Sequence, residues 1–184
     1  LYKNNQPITL KRITGLHNGI IFFNKEHKLE ENQKQNYESF DMKSDSLSFF
    51  EELENRIDNS KFSSAECFIQ FSNQIEGNFS IAFSDLHDQI ILISSNCGSL
   101  YYFHDEKSKI FVYASEKNIL KTFLKSSNFL KDVLISKDNI YQVVNKSIIF
   151  DYTKNEIIKI DNLKLSNKLN LNLNIIKNYE IITN

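Results

Sequence analysis

The chain has 184 residues, a formal net charge of -1, and 41% hydrophobic and 24% charged residues, which is ordinary usage for a globular protein. With a pI of about 6.5 and Lys and Glu interleaved along its length, it has no basic stripe to hold a phosphate backbone, so nucleic acid is excluded as an expected partner. Two cysteines without paired spacing, no apolar run near the roughly 18 residues a span needs, and no apolar start argue against a disulfide framework, a zinc site, a membrane span and a secretion signal, and point to a reducing, cytoplasmic compartment.

A chain of this length suits one domain, 1–184, that buries about 70% of the surface its unfolded form exposes. Residues 12–16 and 20–23 read as two strands around His17-Asn18-Gly19, because Asn-Gly between apolar runs is a strong short-range turn signal. Residues 24–37 are almost wholly polar and fit an exposed helix or a loop. Ser44-Asp45-Ser46 precedes Leu47, Phe50, Leu53 and Ile57, spaced for one face of a helix with a short polar cap before it.

A second helix is predicted over 63–73, with Ala65, Phe68 and Phe71 on one side. Strands follow at 79–84, 90–94, 100–103 and 109–114, separated by polar turns at spacings that suit antiparallel meanders. Ser115 is a candidate cap for a third helix carrying Ile119, Leu120, Phe123 and Leu124 inward. Segments 140–144, 147–150 and 156–160 read as hairpins, and 161–184 as an edge strand or a tail. Helices grouped early and antiparallel strands dominating later give an α+β domain.

Several short segments, in order, carry more than fold. Leu16-His17-Asn18-Gly19-Ile20-Ile21 is preceded by Asn4-Asn5-Gln6-Pro7 and followed by Ser44-Asp45-Ser46. Then come Glu76-Gly77-Asn78-Phe79-Ser80-Ile81-Ala82, Gly98-Ser99-Leu100-Tyr101-Tyr102, Ala114-Ser115-Glu116 and Ser147-Ile148-Ile149-Phe150-Asp151. Taken singly, Asn18-Gly19 is a hairpin turn and Asp45 sits in a helix cap. Taken in order, they resemble the class II, N-terminal-nucleophile glutamine amidotransferases, and most of all the glutaminase domain of the glucosamine-6-phosphate synthase branch.

That resemblance implies an αββα sandwich of the N-terminal-nucleophile hydrolase type, two packed antiparallel sheets covered by helices. It implies an oxyanion hole from the Asn18 side-chain amide and the Gly19 backbone N–H, two fixed donors for the oxygen that gains charge when a thiolate attacks the glutamine amide. It places Asp45 at the substrate α-amino group, with His17 and Ser44 as further substrate-site residues. The implied partners are glutamine and an acceptor domain or subunit, with ammonia passed to a sugar phosphate. No cofactor and no metal are expected. The alternative is an inactive pseudo-glutaminase kept as a binding or scaffolding module.

In the family the nucleophile is a cysteine at the mature N-terminus, whose own α-amino group can act as base. The chain starts at Leu1, so the resemblance leads us to expect that the N-terminal nucleophile segment is absent and that the chain alone does not hydrolyse glutamine. Ser94-Ser95-Asn96 stands where the family usually has an Arg, and Gln6 where the hexosamine branch often has His. Cys67 reads as filler on an amphipathic helix. Cys97, in an Asn-Cys-Gly turn, has no electropositive neighbour in the local sequence to make its thiol reactive. His27, His87 and His104 are expected at the surface.

Overall fold

The computed structural model describes residues 6–23, 44–127 and 139–161. The expectations for 24–37, His27, Asn4-Asn5 and the segment after Asp161 lie outside the described residues. Eleven strands and three helices occur among them: β1 Ile8–Thr9, β2 Ile13–Gly19, β3 Phe22–Phe23, α1 Asp45–Asp58, α2 Ser64–Ser72, β4 Ile75–Glu76, β5 Phe79–Asp85, β6 Ile90–Ser95, β7 Tyr101–Asp105, β8 Ile110–Ala114, α3 Lys117–Ser126, β9 Ile140–Gln142, β10 Lys146–Asp151 and β11 Glu156–Asp161. They form a six-stranded sheet in the order β1-β2-β5-β6-β10-β11, a three-stranded sheet β8-β7-β9, and the small pair β3-β4. Every pairing is antiparallel.

Three apolar clusters separate four layers. On one face of the large sheet, Ile81, Phe83, Leu92 and Ile149 meet Phe49, Phe50 and Leu53 of α1 and Phe68 and Phe71 of α2. On its other face, Ala82, Ile93 and Ile148 meet Leu100, Tyr102 and Val143 from the small sheet and its flanks, and Phe150 stacks on Phe111 across the two sheets at 4.6 Å. Beyond that sheet, Phe103 and Ile140 meet Leu120 and Leu124 of α3. The result is helix, sheet, sheet, helix, the αββα arrangement the resemblance implied. Successive side chains on a strand face opposite ways, and both faces of the large sheet are covered, so β5 is buried along nearly its whole length, its polar Ser80 and Asp85 included.

Local chemistry fixes the helices. Ser44 caps α1 by accepting from Leu47 N at 3.2 Å, and Asp45 lies in the first turn and Arg56 in the last, as the helix dipole favours. Ser63 and Glu66 close a capping box on α2. The third helix starts from Glu116 without a side-chain cap, not from Ser115. Its position comes from Leu120 and Leu124 packing on the sheet.

The larger correction concerns residues 12–23. The expected hairpin turn at His17-Asn18-Gly19 is absent: β2 continues straight through Gly19, pairing Asn18 with Ser80 and Gly19 with Phe79, and β3 pairs with β4 instead. A long-range partner strand outcompetes the local turn preference. Gly15 in the same strand lies under the Phe50 ring, where a Cβ would overlap Phe50 side-chain atoms. Phe50 is fully buried, so Gly15→Ala should destabilise the fold by about 1–3 kcal/mol, the usual cost of overpacking, as read by urea unfolding.

Candidate functional site

β2 presents its end residues to opposite faces of the large sheet. His17, opposite Ile81, points to the helical layer and is 5% exposed. Its Nδ1 lies 2.8 Å from Ser46 Oγ, in the first turn of α1. Burial lowers the His17 pKa from its usual value, and the Asp45 charge opposes that shift. His17 is therefore held as a neutral ring beneath α1. Asn18, opposite Ser80, faces the other way and is exposed, with its carboxamide unengaged among the described residues.

Gly19 has φ +123°, and a Cβ there would overlap the Asn78 carbonyl oxygen. Both the backbone region and the close approach require glycine. Ile20 N donates to Asn78 O at 2.9 Å. Ladder bonds alternate sides along an antiparallel strand, so the Gly19 N–H is directed to the edge away from β5. That is the edge on which His17 N donates to Gln6 Oε1 at 2.9 Å.

The next residue carries the link to α1. Ile21 N donates to Asp45 Oδ2 at 3.1 Å, and Ser46 N to Asp45 Oδ1 at 2.8 Å. This contact keeps the Asp45 carboxylate within roughly 15 Å of Asn18, because consecutive Cα atoms lie only about 3.8 Å apart. Asn18, Gly19 and Asp45 thus share one neighbourhood, with the α1 N-terminus beside them. Ser44 spends its hydroxyl on the cap, and His17 lies on the opposite sheet face from Asn18. These two shape the support beneath the exposed donors.

Sequence reasoning missed two features. The first is a pair of carboxamides bound to backbone. Gln6 Nε2 donates to His17 O at 2.6 Å while Gln6 Oε1 accepts from His17 N. Asn96 Nδ2 donates to Gly77 O at 2.7 Å while Asn96 Oδ1 accepts from Phe79 N at 2.8 Å. The second is the setting of Cys97. This exposed thiol lies 3.5 Å from Ser80 Oγ, 3.6 Å from Ser95 Oγ and 3.4 Å from Ser99 Oγ. Partial burial works to raise its pKa, but the Ser80, Ser99 and Ser95 hydroxyls outweigh that and bring it down to about 7. Hydroxyl donors do here what the missing cation was expected to do. Cys67 is buried, bonded to Ser60 at 3.2 Å, and pushed up by burial.

Of the other histidines, His87 is exposed, whereas His104 is half-buried against Phe150 and bonded to Asn155, which corrects its expected exposure. A cleft of about 270 Å³ lies elsewhere, between α2 and the β10–β11 hairpin, lined by Ile69, Ile149 and Ile158 with Glu66, Asp88 and Asp151. No three His, Cys, Asp or Glu residues converge as metal ligands among the described residues. No helix there is long and apolar enough to cross a membrane.

A family model described as a glutamine amidotransferase domain matches residues 1–122. The structure of glutamine phosphoribosylpyrophosphate (PRPP) amidotransferase from B. subtilis, complexed with ADP and GMP, is similar at 14% sequence identity and a TM-score of 0.49. The match covers 93% of this chain and 33% of that one, so the chain spans about a third of its length. No curated protein matches.

Proposed function

The chain belongs to the glutamine amidotransferase domain family, and from that premise we propose that it contributes the glutamine-hydrolysing site of an amidotransferase. The observation that carries this reading is the shared neighbourhood of Asn18, Gly19 and Asp45 at the end of β2 and the start of α1. A glutamine with its α-amino group at Asp45 would extend its side-chain amide toward Asn18 and Gly19. There the Asn18 N–H₂ and the Gly19 N–H would meet the oxygen that becomes negative on attack. The Asp45 carboxylate keeps acceptor capacity after its two backbone bonds, since an ionised carboxylate offers about four lone-pair sites. His17, bonded to Ser46, holds the first turn of α1 against β2, and Ser44 caps that turn, which together would fix where Asp45 sits.

The attacking group in the family resembled is an N-terminal cysteine thiolate, and neither Cys67 nor Cys97 takes that role in this scheme. The ammonia released would pass to a separate acceptor domain or subunit. A sugar phosphate is the acceptor the resemblance favours. The test is ammonia release from glutamine by the full-length protein carrying this domain, with Asp45→Asn and Cys97→Ser alongside. Asp45→Asn should raise the KM for glutamine about 10-fold or more with a smaller change in kcat, because a hydrogen-bonded charge pair to the substrate is lost in ground and transition state alike. Cys97→Ser should leave turnover close to that of the parent protein. Glutamine binding without any ammonia release would favour the binding-module reading, and turnover indifferent to Asp45 would refute the assignment.

A further inference from the structure

We propose that Gln6 and Asn96 are positioning residues for the oxyanion donors, two carboxamide splints that set the direction of the Asn18 and Gly19 donors from either side. This rests on the reading of Asn18 and Gly19 given above and adds residues that reading does not use. Each primary amide makes two bonds to backbone, one as donor and one as acceptor. Gln6 takes both the N–H and the C=O of His17, the residue just before Asn18. β1 pairs with β2 only at Gly15 and Thr14, so at His17 the Gln6 side chain stands in for a neighbouring strand.

Asn96 does the same on the other side. It bridges Gly77 O and Phe79 N, and its own N–H donates to Phe79 O at 3.2 Å. The residue so enclosed is Asn78, whose carbonyl accepts from Ile20 N and abuts Gly19. The two-residue donor segment is therefore flanked by two clamps, neither of which reaches its exposed side. The Asn18–Gly19 peptide can turn only as far as those flanking backbones allow. Preorganised donors are effective because they need not reorient as charge develops, and a displacement near 1 Å can lower turnover by about 10²-fold.

The isosteric variants Gln6→Glu and Asn96→Asp keep shape and acceptor oxygen and lose the donor. In the full-length protein each should lower kcat for glutamine hydrolysis by about 10–10²-fold, with KM within about threefold, because a misdirected donor matters once the oxyanion forms. Melting temperature is measured in parallel, and Gln6→Ala and Asn96→Ser replace any charged isostere that unfolds. A purely structural role would not produce the second expected result: in an Asn18→Ala background the same substitutions should have smaller effects, since one of the two donors they direct is already removed and only the Gly19 N–H is left to misdirect. An unchanged kcat in folded variants, or a kcat loss of the same size with Asn18 absent, overturns the proposal. If Asn18→Ala itself leaves kcat unchanged, it is the oxyanion assignment that has failed, and the splints fail with it.

Discussion

Replacing Arg12 with methionine should destabilise the domain by about 3–5 kcal/mol, the usual result of leaving a buried charge without its partner. Arg12 Nε lies 2.7 Å from Asp85 Oδ2, and its second nitrogen lies 2.6 Å from Asp88 Oδ1. Asp85 is fully buried. Asp88 also accepts from Ser64 N at 2.6 Å, so a single guanidinium joins the start of β2, the β5–β6 turn and the N-terminus of α2. Methionine retains much of the volume and removes the charge. For a domain of this size the loss should lower Tm by roughly 6–20 °C. Adding Asp85→Asn to Arg12→Met should recover part of it, because the orphaned charge is then gone. A Tm within about 2 °C of the parent protein would show that water reaches Asp85 and that the network is dispensable.

The same network gives stability a direction with pH. Burial acts to raise the Asp88 pKa, but the bonds from Ser64 and His87 and the Arg12 charge outweigh it and leave the pKa lowered. A depressed carboxylate pKa adds stability above the unfolded value, and that contribution is lost as pH falls through the folded value. The parent protein should therefore lose more stability on acidification through the carboxylate range than Arg12→Met does.

What the sequence made legible follows from how local each cause is. Ser44 before Leu47, Phe50, Leu53 and Ile57 announces α1 because cap and apolar face lie within one short segment. The order of strands from Phe79 to Asp161 is legible for the same reason, each run being closed by its own polar turn. Asn18-Gly19 misled because a two-residue turn and a strand end use the same residues, and only the partner strand β5, some sixty positions away along the sequence, decides between them. Ser115 misled because α3 is placed by Leu120 and Leu124 rather than by a cap.

The site divides along the same line. Asn18, Gly19 and Asp45 stand out only through the resemblance of the ordered segments that hold them, since taken singly they read as a turn and a helix cap. The bonds of Gln6 and Asn96 are not legible, since a carboxamide in a polar stretch gives no sign of which backbone it will bind. The Cys97 environment is a third case. Ser80, Ser95 and Ser99 are unremarkable in sequence, and they surround one thiol only because β5 pairs with β6 in the register that sets Ser80 opposite Ser95.

Asn18→Ala should lower turnover more than any other truncation to alanine in this domain that leaves the fold intact. Asn18 is exposed at the strand end, so truncation removes no core contact, and stability should stay within about 0.5 kcal/mol. On the proposed reading its carboxamide donor would meet the substrate oxygen weakly in the ground state and strongly once that oxygen carries charge. Losing one such donor costs on the order of 10²–10³ in kcat, or about 2.7–4 kcal/mol of transition-state stabilisation, with KM little changed. Asn18→Asp should be at least as damaging despite its matching shape, since it sets a negative charge where, on the proposed reading, the oxyanion would form. Gly19→Ala makes an instructive contrast: the added Cβ meets the Asn78 carbonyl at a φ of +123°, so both stability and kcat should fall as the backbone shifts to relieve the overlap. Steady-state ammonia release and thermal melts on the three variants separate these outcomes. A kcat for Asn18→Ala within threefold of the parent protein, in a variant that melts normally, would show that the Asn18 amide is a spectator and that the oxygen is stabilised elsewhere.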